Sequence, residues 1–164
     1  MDLLHSYWRM EYVTSPSDGD KGHENPFVEL PLMGDDKAAL IVHRGQHCYL
    51  VLNRYPYNPG HILAVPYRQV PDISDLTEEE RNEMFAIVVK AKEALQKVMN
   101  PDGYNIGFNL GSASGAGIPT HLHLHIVPRW KGDCNFMCVI GKTRSLTEAL
   151  NKTWEKVREA IGEN

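Results

Sequence analysis

The stretch HLHLHIVPRW, residues 121–130, decides how this chain is read. Three histidines alternate with two leucines, and an apolar run leads into Pro128. Successive side chains on a strand point to opposite faces. A strand over 121–127 therefore sets His121, His123 and His125 on one face and Leu122, Leu124 and Ile126 on the other. The leucine face belongs to a core. The histidine face looks into a cleft, because three imidazoles need polar partners or water. Two chemistries suit such a face. Alternating histidines can supply nitrogen ligands to a metal such as zinc. Alternatively, one imidazole acts as nucleophile or general base while its neighbours orient it. The plain alternative is a histidine-rich surface strand with no role. Three rings in register beside a glycine loop make it the weakest of the three readings.

That loop is GSASGAG, residues 111–117, and it follows a strand over 104–110. Gly111, Gly115 and Gly117 let the backbone approach a ligand, with N–H groups free to meet phosphate oxygens. The N–H groups of Gly115, Ala116 and Gly117 are the candidate phosphate contacts, and Asn109, at the end of the preceding strand, is placed to steer a nucleophile or the phosphate. A glycine loop also makes ordinary hairpin turns, so its position just before the histidine strand is what carries the reading.

Upstream, 38–43 and 47–53 read as strands about the turn Arg44-Gly45-Gln46, and 61–66 as a third short strand. The loop between them, 55–60, is dense in turn residues. Thr77 and Glu80 have capping-box spacing and open a long helix. Its apolar stripe is Met84, Ile87, Val88, Ala91, Leu95 and Val98, and Asn100-Pro101-Asp102-Gly103 ends it. A second helix is expected from Ser145, with Glu148 completing its cap and Leu146, Leu150, Trp154, Val157 and Ile161 inward. These elements argue for an α+β fold with an antiparallel sheet of about five strands, one long helix and a C-terminal helix. The whole of 1–164 reads as a single domain, with 1–36 an arm or loop and 37–164 the core. Trp8, Met10 and Tyr12 alternate, so the arm is offered as an added strand or a partner contact.

The bulk numbers narrow the function. The chain has 164 residues and a formal net charge of −4, which argues against a nucleic-acid polymer as partner. No apolar run approaches a membrane span. The start MDLLHSYWRMEY lacks a secretory pattern, and three uneven cysteines make no disulfide framework. A cytoplasmic location is the expectation.

HLHLHIV matches the His-x-His-x-His motif, followed by two apolar residues, of the histidine triad (HIT) family of nucleotide-binding proteins. The resemblance runs over roughly 7–160. The longer stretches NLGSASGAGIPTHLHLHIVPRWKGDCNF and NRYPYNPGHILAVPYR look like its diadenosine tetraphosphate phosphorylase branch. The resemblance implies that His123 attacks the α-phosphate and forms a nucleotidyl-histidine, with its other ring nitrogen donating to a backbone carbonyl. It implies that His125 stabilises transition-state charge while His121 and His61 organise the pocket. Asn53 falls where an acidic ribose-binding residue often sits. The family often carries a structural zinc on a Cys-x-x-Cys pair, a later histidine and a triad histidine. Here the matching places hold Asn25-Pro26-Phe27-Val28 and Gln69, so zinc is expected to be absent. A hydroxyl that often faces the phosphate is missing near Gly117 and Ile118, with Ser112, Ser114 or Thr120 offered in its place.

The favoured function is phosphorolysis of diadenosine tetraphosphate to ADP and ATP. The alternatives are a hydrolase of dinucleoside polyphosphates or nucleoside phosphoramidates, and a non-catalytic nucleotide-binding module. No cofactor is required, although magnesium is a possible companion of the substrate. Arg129 is a candidate for distal phosphates or for inorganic phosphate, and Lys131 reads as solvated loop. Trp130 reads as packing, Tyr55 and Tyr57 are offered as pocket lining, and His5, His23, His43 and His47 read as surface residues. Family members pair through a helix and a strand, so a homodimer is expected.

Overall fold

The computed structural model of the protein describes residues 25–133 and 148–162. Trp8, Met10, Tyr12, Ser145, Leu146 and two of the cysteines, Cys134 and Cys138, lie outside them.

Five strands form one antiparallel sheet: β1 (Ile41–Arg44), β2 (Cys48–Leu52), β3 (Ile62–Pro66), β4 (Gly103–Phe108) and β5 (Leu124–Arg129). Their spatial order is β1-β2-β3-β5-β4, so β4 is an edge and β5, which carries the third histidine, lies between β3 and β4. In register, Leu63 faces His125 across β3–β5, and Gly107 faces His125 across β5–β4.

Four helices complete the described fold: α1 (Pro26–Glu29), α2 (Asp36–Ala39), α3 (Glu78–Met99) and α4 (Leu150–Ile161). Helix α3 begins as its sequence requires. Thr77 accepts from the N–H of Glu80, and the Glu80 side chain accepts from the N–H of Thr77. It ends at Asn100 in the left-handed region (φ 45°). Its buried side is Met84, Ile87, Val88, Ala91, Ala94 and Leu95. These pack on β2 and β3, with Ile62, Leu124 and Ile126 buried in the same core. Each fully buried aliphatic side chain contributes roughly 1.5–3 kcal/mol before entropy is charged against it. Helix α4 packs on α3 and β1, and its Trp154 donates Nε1–H to the Ile41 carbonyl at 2.9 Å.

Four expectations shift. His43, expected at the surface, is buried on β1. Residues 38–40 are not strand. Asp35 accepts from the N–H groups of Lys37 and Ala38, capping the helical turn α2, and Leu40 leaves it at φ 61°. The strand therefore starts at Ile41. The triad strand is also displaced: its ladder opens at Leu124, so His121 and His123 lie on the approach to β5. Helix α4 begins at Leu150, with Ala149 as an N-cap lacking any side-chain bond. Glu148 instead pairs with Lys156 and accepts from the Thr153 hydroxyl.

The core reaches back ahead of residue 37. Phe27, in α1, is buried with the main apolar cluster and lies against the triad. No helix among the described residues is long and apolar enough to cross a membrane.

Candidate active site

A cavity of about 320 Å³ opens where β2, β3, β5 and the 109–118 loop meet α1. This falls at the low end of the size range of small-molecule pockets, roughly 300–1,000 Å³. Phe27, Leu30, Leu40, Leu52 and Ile118 make an apolar part. Asn53, Arg54, Asn109, Gly115, His123 and His125 make a polar part.

The hydrogen bonds fix the proton on each ring. His123 Nδ1 lies 2.8 Å from the His121 carbonyl oxygen. A carbonyl can only accept, so Nδ1 carries the hydrogen and Nε2 keeps its lone pair. Burial pulls the His123 pKa below the ordinary histidine value, only partly offset by the bond to His121. The ring is thus held neutral with one nucleophilic nitrogen.

A second chain of bonds runs through His61, which is fully buried. Its Nδ1 accepts from the Tyr57 N–H at 3.1 Å and meets the Asn53 amide nitrogen at 3.3 Å. Its Nε2 must then carry the hydrogen, which it donates to His125 Nδ1 at 3.0 Å. His125 is left with its own hydrogen on Nε2. The Asn109 amide lies 3.3 Å from that atom. A ring N–H there asks for the amide oxygen as acceptor, which a half-turn of the Asn109 amide supplies. The consequence is chemical: beside the lone pair of His123 stands an N–H donor on His125, with ring centres 5.0 Å apart. The Tyr57 ring stacks on His125 (5.7 Å between centres) and backs His61.

Gly60 lets this second chain exist. Its φ is +75°, and a Cβ there would lie 2.6 Å from Met99 Sδ and 2.9 Å from Leu95. Only glycine lets the 58–60 turn press against α3 and feed His61 into β3.

The structure brings together most of the sequence candidates. His123, His125, Asn53, Asn109, Gly115 and Gly117 line the cavity, as do Tyr55 and Tyr57. Gly111 and Gly115 take positive φ (74° and 79°), which shapes the loop. Ala116 sits between two lining glycines without lining the cavity itself. His121 and His61 stand behind the lining as supports. Ser114 donates its hydroxyl to the Gly111 carbonyl, and Thr120 is exposed; neither lines the cavity.

Arg129 is not a cavity residue. It lies at the far end of β5, where its guanidinium grips Asp133 and reaches Asn105. That pairing, with the Asn58 amide, holds the Asp133 carboxyl well below the usual carboxylate range. A guanidinium already paired to a carboxylate is a poor phosphate site, because the carboxylate must first be displaced. The sequence reading missed Arg54, the only lysine or arginine among the described lining residues, and it missed Phe27. Adjacency to Asn53 was the available signal for Arg54. For Phe27 it was the Asn25-Pro26 helix start.

The family model described as HIT domain matches residues 35–132. The chain belongs to the HIT family. The match spans more than half of the chain and contains all four site histidines. A protein of Mycobacterium tuberculosis named AP-4-A phosphorylase is 41% identical over 160 residues, covering 93% of this chain and 82% of that one. A bis(5'-nucleosyl)-tetraphosphatase (asymmetrical) of Schizosaccharomyces pombe is 40% identical over 82 residues, half of this chain and 44% of its own. Among solved structures, a zinc-bound histidine triad family protein of Mycobacterium smegmatis superposes with a TM-score of 0.62 at 26% identity, over 74% of this chain and 83% of that one. As a HIT protein, the chain joins its five-stranded antiparallel sheet to histidines held in defined tautomers.

Proposed function

We infer that this HIT protein is a nucleotidyl transferase that cleaves diadenosine tetraphosphate by phosphorolysis. The observation that carries the reading is His123, with Nδ1–H tied to the His121 carbonyl and the Nε2 lone pair facing a nucleotide-sized cavity. The mycobacterial relative's name supplies the substrate class.

The apolar part of the cavity takes the adenine, and Asn53 offers its amide to the ribose. His123 Nε2 attacks the α-phosphorus. The bond from that phosphorus to the bridging oxygen breaks, and ATP leaves. The new N–P bond puts positive charge on the His123 ring, which Nδ1–H shares with the His121 carbonyl. His125 Nε2–H donates to an oxygen of the reacting phosphate, where negative charge grows. A phosphate oxygen then attacks the same phosphorus, the N–P bond breaks, ADP leaves and His123 returns neutral. Two easier displacements replace one hard one. Arg54 is the cation at the wall for phosphates beyond the first. These steps need no resident cofactor, and magnesium arrives with the polyphosphate.

Pairing into a homodimer is part of this reading. Phe85 and Val89, one turn apart on α3, are 61% and 55% exposed, and Ile106 on the edge strand β4 is 45% exposed. Tyr104 of β4 reaches the Lys92 carbonyl on α3, so helix and edge strand adjoin. Apolar side chains on an unpaired edge favour a second copy. Cys48 is a buried free thiol, in keeping with a reducing cytoplasm.

Product analysis with and without inorganic phosphate tests the proposal. ADP plus ATP, formed only with phosphate, is the expected result. AMP plus ATP without phosphate would give the acceptor role to water, the reaction named for the fission-yeast relative.

A further inference from the structure

The family resemblance sets soft metal ligands at positions 25, 28 and 69, with His121 as the triad's share, and a solved relative is described as zinc-bound. The residues present do not fit zinc. Zinc sites of this kind take thiolate and imidazole donors. Here the positions hold Asn25, Val28 and Gln69. Among the described residues no three histidine, cysteine or acidic side chains converge as a ligand set.

The bonds on His121 carry the argument further. Its Nε2 lies 2.8 Å from the Pro66 carbonyl oxygen, so Nε2 carries the hydrogen. Its Nδ1 therefore holds the lone pair, and the Asn25 amide nitrogen lies 2.8 Å from it. Both ring nitrogens of a fully buried imidazole are thus satisfied. The nitrogen that would bind a metal accepts an N–H instead.

Asn25 does two things at once. Its Oδ1 accepts from the Phe27 N–H at 3.1 Å and caps α1, while its amide nitrogen holds His121, 96 residues away. The Phe27 ring, set by that cap, lies edge-on to His121 and 5.0 Å from the His123 ring centre. The His121 carbonyl in turn holds His123 Nδ1–H. We propose that Asn25 takes the place of a structural metal: its amide fixes the His121 ring and, through the His121 backbone, positions the His123 nucleophile. The positioning half rests on His123 being the nucleophile, and the ring half does not.

Asn25→Asp separates the two roles. The carboxylate keeps the capping acceptor but loses the amide donor, and it faces the His121 lone pair. The expected result is a His121 ring that takes up a proton, seen as a change from the neutral Nε2–H pattern in nitrogen-15 spectra. With it, kcat falls about tenfold while KM stays within about twofold. Asn25→Ser, which keeps a capping oxygen but is too short to reach His121, serves if the aspartate variant does not fold. Unchanged His121 spectra in both variants would overturn the proposal. Altered spectra with unchanged kcat would overturn the positioning half alone. Zinc in stoichiometric amount in the purified wild-type protein, with a Tm lowered by chelator, would overturn it from the other side. If wild-type protein turns over no dinucleotide, the functional reading fails while the spectra still decide the role of Asn25.

Discussion

His123 donates its Nδ1–H to the carbonyl of His121, two residues earlier in the same chain, at 2.8 Å. The bond is short in sequence and buried, so the ring cannot turn without leaving that carbonyl unpaired. An extended backbone brings the carbonyl of residue 121 to the ring two residues on, so the bond depends on the path of the chain and not on the His121 side chain.

The first prediction concerns pH. Burial pulls the His121 and His123 pKa values below the ordinary value of about 6.5. Both rings are neutral in the folded protein where the unfolded chain has begun to bind protons. Stability from this source is whole above the ordinary histidine range and is lost as pH falls through the lowered folded values. Urea unfolding at pH 7.5, 6.5 and 5.5 should show a midpoint that drops only below the middle value. The acid limb of kcat should lie below the ordinary histidine pKa as well. A limb at or above it would mean that His123 is not held neutral by burial.

The bonds from Tyr57 through His61 to His125 predict a second result. His61→Phe keeps a ring in the buried site but removes the Nε2–H that fixes the His125 tautomer. Turnover should fall by about 10- to 100-fold, as when a residue that orients a site histidine is lost. Binding of AMP, followed by calorimetry, should change far less. Equal losses in both would make His61 a packing residue only.

Arg54 and Arg129 divide the third prediction. Arg54 lines the cavity, whereas Arg129 is committed to Asp133 and Asn105. Arg54→Ala should raise KM for diadenosine tetraphosphate about tenfold, equivalent to losing one charge-assisted bond. It should leave adenosine phosphoramidate, which has no distal phosphates, nearly untouched. Arg129→Ala should lower Tm and leave both KM values near wild type. The reverse pattern would restore Arg129 as the phosphate residue.

What the sequence makes legible is what depends on near neighbours. The Thr77–Glu80 cap, the α3 stripe and the His-Leu alternation are set within a few residues, and each is found in the fold. At 38–40 the sequence misleads, because a short apolar run fits helix or strand equally and the Asp35 cap decides for a helical turn, whereas Ile41 and Val42 are strand as expected. Arg129 looked available because Asp133 and Asn105 were not visible as its partners. Asn25 and Phe27 were read as arm because their partners, His121 and His123, lie almost 100 residues away.

Gly60 carries the last prediction, a test of how the fold delivers His61. Gly60→Ala meets two obstacles at once. Its φ of +75° is disfavoured for any residue with a Cβ, and that Cβ would strike Met99 and Leu95 on α3. Together these should cost about 2–4 kcal/mol. Either the Met99 and Leu95 side chains give way or the 58–60 turn moves off α3, and movement of the turn shifts the carbonyl of Asn58 that receives the His61 N–H. Activity should therefore fall even at temperatures where the variant remains folded. A double variant that also shortens the obstructing side chain, Met99→Ala, should recover part of the activity while remaining less stable than wild type. No recovery of activity would mean that the positive φ, and not the close approach to α3, sets the position of His61.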